Sequence, residues 1–194
     1  MKVLTGEESL NFEGKSLNKP LIEFWRWNSS NLLNNTLRGV FAEFIVATAL
    51  DIDLTDVHSD WASYDLKDND GRRIEVKSSA YLQSWFAENQ PEKRSKIIFS
   101  ISPALEWSDN ECKYRDDSYE RHSDVYVFCH YTCTDRAPEN PLNLDYWDFY
   151  VLATAAINQR FGMQKTISLG TLKSCCQPVK FGKLKDAIQT AVQL

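Results

Sequence analysis

The sequence predicts an α/β domain built on a mixed central β-sheet flanked by helices. Three observations carry that prediction. The run 37–50 is apolar on nearly every face and long enough for a helix covered on most sides by protein. Two strand-like segments follow it, divided by Asp68-Asn69-Asp70-Gly71, a strong hairpin signal. Further strands and then helical segments complete the order.

Taken in order, residues 1–35 are polar and Asn-rich, an N-terminal extension interrupted by Leu21-Ile22-Glu23-Phe24-Trp25-Arg26-Trp27, a short helix expected to pack on the body. Asn35 or Thr36 is the expected cap of helix 37–50. The hairpin strands are 62–67 and 72–78. Residues 81–89 read as helical and stop before Pro91. Segments 96–102 and 124–131 read as strands, and the charged stretch between them as a long loop or lid. A strand at 146–152, a helix at 154–161, an extended piece at 165–169 and a terminal helix at 182–192 follow. With no repeat and no low-complexity linker, residues 1–194 form one expected domain.

Composition bounds the function. A chain of 194 residues that is 43% hydrophobic and 12% aromatic can bury a sizeable core. No leader and no apolar run long enough for a membrane span is visible, and five irregularly spaced cysteines suit reduced thiols, so a cytoplasmic protein without a membrane is expected. The formal charge of −5 gives no support to nucleic-acid binding. It does not exclude it, because a metal-dependent site is itself acidic.

Asp65, Glu75 and Lys77 stand out within the hairpin. Glu75 and Lys77, two apart on one strand, share a face. A three-residue loop, Asn69-Asp70-Gly71 with Gly71 in the left-handed region, sets Asp68 opposite Arg72 and Asp65 opposite Glu75. A two-residue loop sets Asp65 opposite Ile74 or Val76 and sends it to the other face. Gly71 favours the first version. Two facing carboxylates about 4 Å apart repel by roughly 4 kcal/mol at an effective dielectric near 20, so a compensating cation is expected. Lys77 supplies one charge, and hard oxygen ligands suit Mg²⁺ or Mn²⁺ for the rest. The matching chemistry is metal-activated water attacking phosphorus. Glu43, an acid among apolar neighbours on helix 37–50, is a candidate accessory ligand to the same cluster.

This arrangement resembles the PD-(D/E)xK nuclease superfamily, in which a glutamate-bearing helix precedes a hairpin carrying an aspartate and a Glu-x-Lys pair. The matching residues are Glu43, Asp65, Glu75 and Lys77, with Tyr64 where the motif's proline would stand. The resemblance spans roughly 37–83, with 97–99 and 125–129 as further core strands. It implies a restriction endonuclease-like αβββαβ core and Mg²⁺-dependent endonuclease activity on DNA. It also implies Asp65, Glu75 and Glu43 as metal ligands and Lys77 as the residue that orients water or stabilises charge. Ser78, Ser79 and Gln83 follow as accessory polar residues.

Competing readings remain open. Asp65, Glu75 and Lys77 also describe a solvated strand face, and Glu43 a helix-surface residue. The chain could instead be a nuclease-fold module that binds nucleic acid or protein without cutting, or an enzyme acting on a small phosphorylated substrate. Cys112, His122, Cys129, His130 and Cys133 lack the spacing of a zinc site. Cys175-Cys176 read as packed thiols, His58 as a surface residue, and most of the six tryptophans as core. Arg72, Arg73, Lys93, Arg94 and Lys96 are candidates for phosphate contacts. A homodimer is the arrangement that symmetric cleavage of a duplex would use.

Overall fold

The computed structural model describes residues 2–55, 62–85, 93–108, 113–115, 119–135 and 140–193. The polar N-terminal region, expected to hold only a helix, first forms an antiparallel hairpin, β1 (Ser9–Phe12) and β2 (Lys15–Pro20). The helix α1 (Leu21–Ser29) follows directly, and no residue in it is buried. Its approach to the hairpin is set at Gly6, where an added Cβ would lie 2.8 Å from the Trp25 ring.

Helix α2 spans Asn35–Ala49. Its cap is Asn34, one residue before the expected Asn35 or Thr36, and the Asn34 side chain accepts from the Thr36 and Leu37 amides. Ala42, Ile45, Val46 and Ala47 are buried. Val40 and Phe44 are exposed, so α2 is less enclosed than its composition suggested.

The central sheet comprises β3 (Leu66–Lys67), β4 (Arg73–Ala80), and two strands beyond the hairpin. Between them come β5 (Ile98–Ser100), β6 (Trp107–Ser108) and β7 (Lys113–Tyr114). The chain returns as β8 (Val125–Tyr131), continues as β9 (Trp147–Ala153) and α3 (Thr154–Phe161), then forms β10 (Thr166–Ser168), α4 (Leu169–Cys175) and α5 (Leu184–Ala191). The sheet order is β3-β4-β8-β9, antiparallel at both outer pairs and parallel between β4 and β8. The fold is therefore mixed α/β, with a central mixed sheet and five α-helices among the described residues.

Two expected elements fall elsewhere. β5, expected as a core strand, pairs with β10 in a separate two-stranded sheet. Residues 81–85 are irregular, not helical, and the rest of that expected helix lies outside the described residues. The expected long loop between β5 and β8 contains the paired strands β6 and β7.

Strand alternation divides the core. Ile74, Val76 and Ala80 of β4 pack with Val125, Val127 and Cys129 of β8 against α2 and α5. On the other face Tyr126, Phe128 and Tyr150 meet Ile97, Phe99, Ile157, Ile167 and Leu172. Glu75, Lys77 and Ser79 alternate with the first set and so belong to this second face. Asp124 clamps the sheet where β8 begins: its carboxylate accepts from the Arg73 amide at 2.8 Å and from Nη2 at 3.0 Å, and its own amide donates to the Arg73 carbonyl.

Candidate active site

The hairpin turn is the three-residue version. The Asp68 amide donates to the Arg72 carbonyl and the Gly71 amide to the Asp68 carbonyl, with Gly71 at φ +84°. Lys67 pairs with Arg73 and Leu66 with Ile74, and the Asp65 amide donates to the Ile74 carbonyl. Asp65 thus falls beside Glu75. Its Oδ2 accepts from the Val76 amide at 2.6 Å, which fixes the carboxylate.

Lys77 completes the group. Its Nζ lies 2.5 Å from Glu75 Oε1 and 3.6 Å from Asp65 Oδ2. The three side chains are 19–27% exposed, enough to meet a substrate and too little for full hydration. Burial pushes Glu75 above the ordinary carboxylate range; Asp65 and Glu43 push it further, against the pull of Lys77. Burial draws Lys77 down, but Glu75 and Asp65 outweigh it and hold it above its ordinary value. The rise of Glu75 is thus chiefly an effect of burial, and the rise of Lys77 an effect of the two carboxylates beside it.

The expected accessory residues divide. Glu43, half-buried on α2, is near enough to act electrostatically on both Glu75 and Cys129. Among the described residues, however, no three His, Cys, Asp or Glu side chains form a ready-made metal cage. Ser79 sits on the carboxylate face, buried and opposite His130. Ser78 and Gln83 serve α2: the buried Arg38 guanidinium donates to Ser78 Oγ, Gln83 Oε1, Asn35 Oδ1 and the Leu33 carbonyl. Gln83 Nε2 donates to the Ala80 carbonyl. Burial lowers Arg38 to about 10.

Beside Asp65 and Glu75 opens a cleft of about 290 Å³, walled by Tyr64, Trp107, Tyr114 and His122. The Trp107 and Tyr114 rings meet edge-on at 5.2 Å. His122 Nε2 donates to the Ala104 carbonyl at 2.9 Å. No local motif announced these residues; they reach the cleft through tertiary folding. A larger groove of about 440 Å³ runs along β9 and α3, but its walls, including Val151, Ala156 and Cys176, hold no paired carboxylates.

Several other expectations are revised. Arg72 is held by Asp68 and Asp70, and Arg73 by Asp124, so both guanidinium groups have internal partners. Of the described tryptophans only Trp147 is fully buried. Cys129 and His130 face opposite ways, and burial lowers His130 to about 4. His58, Trp61 and Cys112 lie outside the described residues, and the described cysteines are free thiols. No described helix is long and apolar enough to cross a membrane.

No curated protein matches the chain. The model of the bacteriophage T4 endonuclease IV family matches residues 17–171, a span that includes α2, the hairpin and the carboxylate cluster. The chain therefore belongs to the bacteriophage T4 endonuclease IV family, a family of DNA endonucleases.

Proposed function

We propose that this endonuclease is of the PD-(D/E)xK type and hydrolyses phosphodiester bonds in DNA with Mg²⁺ or Mn²⁺ held by Asp65 and Glu75. The observation that carries the reading is the convergence of two carboxylates, Asp65 and Glu75, on the single ammonium of Lys77. Helix α2, laid against a mixed sheet whose hairpin bears these residues, supports a restriction endonuclease-like core.

The donor set fits a hard divalent cation. Asp65 Oδ1 and Glu75 Oε2 make no hydrogen bond among the described residues, so each carboxylate keeps an oxygen for a ligand. Mg²⁺ sites commonly use one or two carboxylates and complete the shell with water and substrate phosphate, so a full protein cage is not required. When bound, the cation supplies Lewis-acid polarisation of the phosphate and a more acidic water.

The chain's own groups do the rest. The Val76 amide holds Asp65 in one orientation before substrate arrives. Lys77, set beside Glu75 and Asp65, would donate to a phosphate oxygen and stabilise the charge that builds there. Glu43 adds negative potential from α2 and Ser79 a neutral hydroxyl on the carboxylate face.

The test is cleavage of plasmid and branched DNA in Mg²⁺ or Mn²⁺ by wild type, Asp65→Ala and Lys77→Ala, with folding checked by circular dichroism. Each substitution is expected to lower the rate by about 10²–10³-fold. Wild type that neither cuts DNA nor binds Mn²⁺ in calorimetry would replace this reading with that of a binding module.

A further inference from the structure

The N-terminal unit, residues 2–29, has no core of its own. A hairpin and one helix of this size cannot bury enough apolar surface to be stable alone. α1 packs on β2 and is tied to the segment before β1, where the Leu21 and Ile22 amides donate to the Glu8 and Gly6 carbonyls. Its inward residue Trp25 rests on Gly6, while Phe24 and Trp27 form an outward pair with ring centroids 6.2 Å apart. Trp27 is 82% exposed, Phe12 65% and Leu10 62%, and Leu17 and Phe24 are also exposed.

A second open apolar patch lies on α2, where Val40 and Phe44, one turn apart, are exposed while the neighbouring Phe41 packs on the core beside Trp147. Soluble monomers rarely leave contiguous apolar surface of this kind uncovered.

We infer that two copies of the chain exchange N-terminal units, the Phe24–Trp27 face of each lying on the Val40–Phe44 stripe of the other. Three features favour a second copy as the occupant. Scaled by the exposure of each residue, at roughly 150–250 Å² for a whole aromatic side chain and somewhat less for leucine, the arm offers on the order of 550 Å². With the Val40–Phe44 patch added, each copy approaches the roughly 800 Å² that a partner contributes to a standard stable interface. The arm's charge is balanced, with Lys2, Lys15, Lys19 and Arg26 against Glu7, Glu8, Glu13 and Glu23, which suits self-association and offers a polyanion no net attraction. Donor face and acceptor face sit on the same chain, so a two-fold axis satisfies both at once.

The full chain is examined by light scattering across a dilution series, with thermal melts to confirm folding. Wild type is expected at twice the chain mass, and both Phe24→Ser/Trp27→Ser and Phe44→Ser at the single-chain mass with their helical content kept. Mixing the two variants should restore part of the doubled mass, because one intact arm then meets one intact stripe. A single-chain wild type throughout, or doubled mass in both variants, overturns the inference. So does a single-chain wild type whose Trp27 emission shifts on adding an oligonucleotide, which would assign the arm to DNA.

Discussion

Arg38, buried, and Lys77, half-buried, show how two cations can have different uses. Arg38 is surrounded by neutral acceptors that it alone satisfies, whereas Lys77 stands among carboxylates that outnumber it. Replacing Arg38 with Met strands the buried acceptors of Leu33 and Gln83 and should cost about 2–4 kcal/mol in urea unfolding. Gln83→Ala removes one of them and should cost roughly 1 kcal/mol, with DNA cleavage unchanged; a large loss of cleavage at full stability would return Gln83 to the site. The parity of Glu75 and Lys77 was legible in the sequence because the strand period is two. The use of Gln83 was not, because its partner lies 45 residues earlier on another element.

At the scale of elements, the hairpin turn decides the site. One residue fewer in the loop would send Asp65 to the α2 face, away from Glu75. Gly71→Ala places a side chain at φ +84° and should destabilise the fold by about 1–2 kcal/mol. As the turn shifts, cleavage should fall by about tenfold to a hundredfold. Urea unfolding and single-turnover cleavage read the two effects separately, and a variant with wild-type rates would show that the turn does not set the carboxylate geometry. The composition of the turn made this much legible. The pairing of β5 with β10 was not, since the two strands are separated by a long stretch of chain and each is an ordinary short apolar run.

At the scale of the whole molecule, a cation bound at the Asp65–Glu75 pair would act on stability as well as on chemistry. A cation that binds the folded chain and not the unfolded one raises stability by about 2.7 kcal/mol at a hundredfold excess over Kd. Mn²⁺ should therefore raise Tm by several degrees in wild type and leave Asp65→Ala/Glu75→Ala where it was, as followed by calorimetry. Equal shifts in both proteins would place the cation elsewhere. The sequence by itself determined the α/β class, α2, the three-residue turn and the convergence of Asp65, Glu75 and Lys77, because each rests on helix or strand periodicity or on the backbone freedom of glycine. Tertiary structure alone decided that β4 runs parallel to β8, that Arg38 claims Ser78 and Gln83, and that Trp107, Tyr114 and His122 wall the cleft. Those depend on which distant surfaces bury one another, and local propensity carries no record of a partner tens of residues away.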